Sequence, residues 1–200
     1  MVDALFGIGL SRAPDAGPHA LIDALNAQAL PVFSLDVPSG VDADRGGVPG
    51  VAVVATRTLQ FIALTAEENG LLGATYYAAN PLRPLETTAA VLNIEMFSPD
   101  GATRDIASWG KGRVSLEGDL ERVAKARGRS YSPDPNLEAG FFYRADHVAF
   151  ARLGVPAITI GPGLDKLDGG VEAGRALREK YFADCYHQAC DAWTPSWDPS

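Results

Sequence analysis

Short apolar runs alternate along the chain with longer segments in which apolar residues recur at helical spacing. The runs predict strands, and their continuous apolar character is typical of strands that are buried on both faces of a sheet. The alternation predicts the α/β class, with a three-layer αβα arrangement and a mostly parallel sheet. The predicted strands are Val2–Phe6, Pro31–Val37, Thr58–Thr65, Ala89–Met96 and Ala157–Ile160. The predicted helices are Pro18–Gln28, Gly70–Ala79, Leu116–Arg127, Asp146–Leu153 and Glu172–His187.

Segments rich in Gly, Pro and Asp separate these elements and predict loops. A chain of 200 residues forms one domain or two small ones, and no Pro/Ser-rich linker divides this one. We therefore expect a single domain, in which segments 1–56 and 57–200 share one sheet. The predicted loops are Asp42–Gly50, Ser98–Asp105, Ser130–Gly140 and Gly161–Gly170.

Composition narrows the range of functions. With 46% hydrophobic and 21% charged residues, the chain can bury a core of ordinary size. A net charge of -8 argues against a nucleic-acid partner, because phosphate binding needs clustered Lys and Arg. Cys185 and Cys190 would lie about a turn and a half apart on one helix, which is a poor geometry for a bridge. The sequence therefore predicts two free thiols.

Neither a membrane span nor a secretory leader is expected in this chain. It contains no apolar run of about 18 residues, and no basic segment followed by an apolar one stands at its start. The chain opens almost directly on a predicted strand, as if an upstream segment were missing. The sequence predicts neither a localisation nor an oligomeric state.

The first third contains a glycine-containing turn and an acidic residue at a strand end. Gly7 and Gly9 follow the first predicted strand, where their backbone could approach a phosphate, although a simple tight turn explains them equally well. Asp36 ends the second strand, the place where α/β folds bind ligands. The turn Pro38–Gly40 is predicted to expose Ser39.

Together, these residues resemble the NAD(P)HX epimerase family, the YjeF N-terminal domain type, over about 45 residues from Asp3. The resemblance implies that Asp3 and Ser39 help to hold a potassium ion. It also implies that the segment from Gly7 to Ala13, including Gly9, lines the phosphates of the nucleotide and that Asp36 meets the substrate. Ile8 stands where the family usually has Thr, and the N-terminal half of that family, with an Asn-containing loop, is absent.

The remaining chain places acidic residues after apolar runs. Glu67 and Glu68 follow the run that ends at Thr65, and adjacent carboxylates there could divide metal binding and proton transfer between them. A solvated turn is the plainer interpretation of such a pair. Glu95 follows another apolar run. His187 stands at the end of the last predicted helix, where a surface or capping role is the ordinary alternative.

Five stretches of this part resemble the di-zinc aminopeptidases of clan MH, over about 140 residues. The resemblance implies Glu67 as general base, Glu68 and His187 as ligands of one zinc ion, and Glu95 as a ligand of the other. It also places Tyr143, Arg144 and Asp146 in the segment that lines the substrate cleft, with a peptide as substrate. The family mostly has Asp at the position of Glu95. The matching stretches are Phe61–Gly73, Asn93–Met96, Phe142–His147, Ala151–Ala157 and Tyr186–Gln188.

The zinc site implied by this resemblance is incomplete. The family's first zinc-binding His and its metal-bridging Asp lie upstream of the Glu-Glu pair, where this chain carries the epimerase-like segment. A catalytic zinc ion normally has three protein ligands, so we expect weak binding. Asp36, Asp42 and Asp44 are the possible substitutes for the missing ligands, and His19 is a poorer one because it begins a helix.

The sequence therefore indicates a chimeric α/β chain, joined at about residues 51–58. A gene fusion, a deliberate chimera and a computer-generated sequence are all compatible with it. Three functions stay open: a zinc-dependent aminopeptidase-like hydrolase with little or no activity, a nucleotide-binding epimerase remnant, and a folded scaffold without activity.

Overall fold

The computed structural model of the chain describes residues 1–95, 101–134 and 136–195. The predicted α/β class with αβα layering is confirmed, because helices accompany strands that pair mostly in parallel. The strands in this part of the chain are β1 (Val2–Asp3), β2 (Phe33–Leu35), β3 (Arg57–Leu59), β4 (Val91–Ile94), β5 (Asp105–Trp109), β6 (Ser130–Ser132) and β7 (Ala157–Pro162). The α-helices are α1 (Ala16–Asn26), α2 (Leu72–Ala79), α3 (Leu116–Ala126), α4 (His147–Ala151) and α5 (Gly170–Asp184).

The chain divides into two compact units, Met1–Ala63 and Leu64–Ser200. In the first unit, β1, β2 and β3 form a parallel three-stranded sheet in that order. Ile22 of α1 is completely buried and forms a small core with Val32 and Val53. This core explains why α1 forms, since Ile22 and the half-buried Leu25, three positions apart on one face of the helix, both pack in it.

The second unit contains a four-stranded mixed sheet in the order β4-β7-β5-β6. Its pairings are parallel except for the antiparallel pair β5–β7. The small residues Ala74 and Ala78 let α2 pack closely against α4, whose Phe150 lies in the same core. Tyr77 adds a ring contact to Phe150, with 5.9 Å between the ring centroids. Helix α4 also packs against strands β4 and β7.

Strands β5 and β6 were not predicted from the sequence, and the prediction of one shared sheet is wrong. Strand β5 begins at Asp105, the last residue of one predicted loop, and β6 opens the predicted loop Ser130–Gly140. Both strands contain Ser or Asp, so they lack the apolar continuity that marked the others. The described strands lie in two sheets. The prediction that every apolar run is buried is also wrong, because all residues of β3 are exposed and Phe61 is 70% exposed. Met96 of the predicted fourth strand lies outside the described residues.

The prediction of two free thiols is wrong. Cys185 and Cys190 form a disulfide, with their Cα atoms 5.4 Å apart. The prediction assumed that both cysteines lie on one helix, but α5 ends at Asp184. A turn then follows, closed by a hydrogen bond from the Gln188 N–H to the Cys185 carbonyl, and it brings the cysteines within bridging distance.

No helix in the described residues is long and apolar enough to cross a membrane.

The prediction of one domain leads to an unfolding experiment. Residues 1–63 contain no tryptophan, so tryptophan fluorescence does not report on the first unit. Far-UV circular dichroism reports on the helices of both units. We expect the two urea transitions to coincide if the chain unfolds as one cooperative domain. A separate dichroism transition without a fluorescence change would show that the first unit unfolds independently.

Candidate functional site

Three glutamates of the second unit, Glu67, Glu68 and Glu95, line one pocket. Glu67 and Glu68 lie in the turn that leads into α2, and the N–H groups of Gly70 and Leu71 both donate to the Glu67 carbonyl. Their predicted position at the end of a strand is wrong, since β3 ends at Leu59. The pocket has a volume of about 80 Å³, which is room for a few water molecules. Its lining residues are Glu67, Glu68, Glu95, Trp109, Phe141, Arg144, Tyr186 and His187.

Glu68 and His187 contact each other directly in this pocket. The distance between Glu68 Oε1 and His187 Nε2 is 2.8 Å, and the side chains are 67% and 45% exposed. His187 does not end the helix as predicted but lies in the turn after α5, with a φ of 60°. The structure therefore brings together the two residues that the resemblance assigns to one zinc ion.

Burial and neighbouring negative charges raise the pKa of two glutamates in this pocket. The pKa of Glu67 is raised by partial burial and by the negative charges of Glu68 and Asp146, against the opposing effect of His187. Glu95 follows β4 directly, and loss of solvent around its carboxylate, together with the charge of Glu67, raises its pKa to about 7. Both shifts arise first from burial and then from repulsion between the carboxylates, and a bound cation would favour the charged form of both groups.

A chain of hydrogen bonds connects Glu95 with the buried core. Asn93 donates from Nδ2 to Glu95 Oε2 at 2.9 Å and to Thr159 Oγ1 at 3.1 Å. Thr159 Oγ1 and His147 Nδ1 lie 2.8 Å apart and share one hydrogen. Burial lowers the pKa of His147 to about 4, so its imidazole is neutral at pH 7. These contacts fix the direction of the Glu95 side chain.

Aromatic rings form another part of the pocket lining, which we call the aromatic wall. Trp109 and Phe141 are 5.9 Å apart at their ring centroids, and the Arg144 guanidinium lies 5.3 Å from the Phe141 centroid. Of the predicted cleft residues, Arg144 lines the pocket and Tyr143 is not among its lining residues. Asp146 is near enough for its charge to raise the pKa values of both Glu67 and Glu95.

Sequence reasoning missed the aromatic wall and the support of Glu95. Trp109 lies at the end of β5, which the sequence did not predict. Asn93 is two residues before Glu95 and shares its side of the strand, a spacing that could have marked it. Thr159 is 66 positions away from Asn93, and no sequence signal connects the two.

The side chains in the pocket include the types that bind zinc, but there are few of them. Carboxylate oxygens and imidazole nitrogens are ordinary zinc ligands. Within the described residues, however, no three His, Cys, Asp or Glu side chains come close enough together to hold a metal ion. The Glu68–His187 pair therefore fits one zinc ion with two protein ligands. A complete catalytic centre would need another ligand.

The predicted residues of the first unit also come together. The completely buried Asp3 accepts hydrogen bonds from Ser34 Oγ at 2.8 Å, from Ser39 Oγ at 2.6 Å and from the Ser39 N–H at 2.8 Å. Ser39 is fully buried, so its predicted exposure is wrong. A Cβ atom at Gly7 would lie 3.4 Å from Asp36 Oδ2.

Gly9 has a φ of 96° with open space around it, a conformation that favours glycine in a tight turn. Asp36 directly follows β2, as predicted, and adopts a φ of 67°. This conformation is uncommon for a residue other than glycine and is often found at functional positions.

Two family models match the chain. The model of "Peptidase family M28" matches residues 49–199, and that of "YjeF-related protein N-terminus" matches residues 1–66. The second match covers the first unit and ends just inside the second. The chimeric organisation predicted from the sequence is therefore confirmed.

Curated relatives resemble the N-terminal part. An NAD(P)H-hydrate epimerase of Achromobacter xylosoxidans is 52% identical over 62 residues, which cover 31% of this chain and 30% of that protein. The NAD(P)H-hydrate epimerase of Bordetella pertussis strain Tohama I is 41% identical over 105 residues, which cover 50% of this chain and 46% of the relative. The chain thus spans less than half the length of these curated relatives.

Among solved structures, an aminopeptidase from Aneurinibacillus sp. strain AM-1 is 25% identical to this chain. The likeness covers 55% of this chain and 27% of that protein, and its TM-score of 0.38 is too low to carry an argument about the fold. The family-model match over residues 49–199 is the stronger finding, because it extends over most of the chain and includes every residue of the acidic pocket. The chain belongs to peptidase family M28, with an N-terminal segment similar to the YjeF-related N-terminus.

Proposed function

We propose that the second unit is an aminopeptidase-like hydrolase fragment, in which Glu68 and His187 bind one zinc ion weakly and peptide hydrolysis is slight or absent. The observation that carries this proposal is the 2.8 Å contact between Glu68 and His187 in a pocket that also contains Glu67 and Glu95. Membership of a peptidase family supports a peptide as the substrate.

Each side chain of the pocket has a role in this proposal. Glu68 and His187 hold the ion, which supplies Lewis-acid polarisation of a carbonyl group and activation of water. Glu67 accepts the proton of the attacking water, a role favoured by its raised pKa. Glu95, directed by Asn93, is the remaining donor for a second ion.

The carboxylates of the pocket also favour the positively charged amino terminus of a peptide. Arg144 lies beside them on the aromatic wall and is placed to contact a peptide carbonyl or carboxylate. Tyr143 and Asp146 belong to the same segment and stay predicted substrate contacts. The expected weakness follows from the number of ligands, since two-ligand sites lack the three protein ligands of ordinary catalytic zinc.

His187→Ala is expected to abolish zinc binding, because it leaves a single carboxylate at the site. Isothermal titration of the metal-free protein with zinc chloride measures this. His19→Ala is the matched control, since His19 is a half-exposed histidine whose contact with Asp23 lies outside the pocket. Undiminished zinc binding by His187→Ala would refute the assignment.

The origin of a third ligand is a separate part of the proposal. Asp36 and Asp42 are the predicted substitutes, and Asp42 is already engaged with Arg45 at 3.1 Å. If either supplies a third ligand, its replacement by Ala lowers zinc affinity to that of a site with two protein ligands. Equal zinc affinity in Asp36→Ala, Asp42→Ala and the parent chain would exclude both as ligands.

A nucleotide-binding remnant is the second candidate function. It is favoured by the similarity to NAD(P)H-hydrate epimerases and by the juxtaposition of Gly7 and Asp36. Potassium binding by Asp3 and Ser39 belongs to the same proposal, although both oxygens of Asp3 already accept protein hydrogen bonds. Because the chain covers only a fraction of these relatives, we expect weak nucleotide binding at most.

Titration with NADPH tests this candidate. We expect the dissociation constant for NADPH to be no lower than about 1 μM, which corresponds to about 8 kcal/mol of binding free energy. Tighter binding that is lost in Asp36→Ala and kept in Asp44→Ala would establish a working nucleotide site. Asp44 is a suitable control because it is exposed and lies in the same unit.

A further inference from the structure

His187 owes its position to the turn that follows α5. The helix ends at Asp184, and Cys185 leaves the helical conformation with a φ of −136°. His187 itself has a φ of 60°, which is uncommon for a residue other than glycine. The conformation of the backbone at His187 therefore has to be maintained by contacts outside the helix.

A covalent bond closes this turn around His187. The disulfide between Cys185 and Cys190 encloses Tyr186–Ala189, and the Gln188 N–H donates to the Cys185 carbonyl at 2.8 Å within the loop. Inside the loop, the rings of Tyr186 and His187 are stacked with their centroids 3.8 Å apart. The loop thus has few conformations available to it while the disulfide is intact.

Asp191, the residue after the bridge, holds the same turn by hydrogen bonds. Its Oδ2 accepts the His187 N–H at 3.1 Å, and its carboxylate also accepts the Tyr181 hydroxyl at 2.9 Å. Burial and the nearby Asp191 raise the pKa of Tyr181 to about 12, so this hydroxyl stays a donor at neutral pH. The disulfide places Asp191 where it can make both contacts, because Cys190 precedes it directly.

We propose that the Cys185–Cys190 disulfide positions His187 beside Glu68, so that reduction of the bond by a dithiol releases the imidazole from the pocket. In this reaction the two thiols of the reductant become a disulfide, and two electrons and two protons convert Cys185 and Cys190 into thiols. Cys190 is exposed, so a reductant can reach the bond. The consequence for zinc rests on the proposed function, whereas the positioning of His187 does not.

Amide hydrogen exchange of the metal-free chain tests the positioning directly. We expect dithiothreitol to accelerate exchange of the His187 amide by about tenfold or more, since its hydrogen bond to Asp191 then opens locally. The Leu177 amide in the middle of α5 is the control and should be unchanged. An unchanged His187 amide would overturn the proposal, and so would equal acceleration at Leu177, which would show general unravelling of the helix.

Zinc titration of Cys185→Ser/Cys190→Ser tests the consequence for the pocket. The double variant imitates the reduced loop without thiols that could themselves bind zinc. Loss of groups that orient a metal ligand typically lowers affinity by about 10- to 100-fold, and we expect a loss at the lower end.

Equal zinc affinity of the double variant and the oxidised parent would contradict the proposal. If the oxidised parent binds no zinc at all, the proposed function fails, and the exchange of the His187 amide still decides whether the disulfide positions this residue. Should the double variant fail to fold, dithiothreitol treatment of the parent supplies the same exchange comparison on an unchanged sequence.

Discussion

Glu67→Gln is expected to lower the hydrolysis of an aminoacyl-nitroanilide by about 10²–10⁴-fold, the usual cost of removing a general base. The substitution keeps the shape of the side chain and removes its ability to accept a proton. Glu67 lies in the pocket next to the Glu68–His187 pair, so a proton acceptor there is well placed for water held at that pair. Zinc binding should persist, because Glu67 is not one of the two paired residues.

Glu68→Gln is the matched control, since it changes the neighbouring carboxylate in the same way. We expect this variant to lose zinc affinity as well as activity, whereas Glu67→Gln loses activity alone. Parent-level turnover by Glu67→Gln would exclude the aminopeptidase mechanism. Absence of turnover by the parent chain in excess zinc would exclude peptidase activity and leave the inert scaffold as the interpretation of the second unit.

The rate should also depend on pH in a way that follows from the pKa of Glu67. Burial, Glu68 and Asp146 raise that pKa above the ordinary value of glutamate. The proton-accepting form is therefore lost at a higher pH than for an exposed Glu as the solution is acidified. A pH–rate profile of the parent chain should fall on the acidic side at that raised pKa.

The sequence predicted well those features that depend on local pattern. The helices α1 to α5 and the strands β1 to β4 and β7 lie where apolar periodicity placed them, apart from their ends. Helix ends depend on tertiary contacts, which explains why His187 was placed on α5 although the helix ends three residues earlier. Strand β5 carries two polar residues, Asp105 and Ser108, that are buried by partners distant in the chain, and β6 is a short polar strand that pairs with it. Local pattern cannot reveal either strand.

The site was predicted through family motifs more than through physical chemistry. Glu68 and His187 are 119 positions apart in the sequence, and only resemblance to a known family pairs them before the structure does. The disulfide illustrates the opposite case. Two cysteines separated by five positions cannot bridge on a regular helix, and the turn that permits the bond depends on Asp191 and Tyr181. Such a turn leaves no periodic signal.

Asp3→Ala is expected to destabilise the first unit by about 3–5 kcal/mol, because it removes the acceptor of several buried donors at once. The Asp3 carboxylate connects β1 with Ser34 of β2 and with the turn at Ser39, at distances of 2.6–2.8 Å. A unit of this size has a total stability of about 3–9 kcal/mol. The loss is therefore comparable with the whole stability of the unit, and urea denaturation followed by far-UV circular dichroism should show it partly unfolded in water.

Two comparisons distinguish a structural Asp3 from an ion-binding one. Asp44→Ala, at an exposed position of the same unit, should change stability by less than about 0.5 kcal/mol. Replacing potassium by sodium in the buffer should leave the parent unchanged if Asp3 acts only through Ser34 and Ser39, since those contacts need no ion. A loss of stability in sodium equal to that of Asp3→Ala would instead assign the effect to bound potassium. An Asp3→Ala chain that unfolds at the same urea concentration as the parent would contradict the buried hydrogen-bond network as the source of this unit's stability.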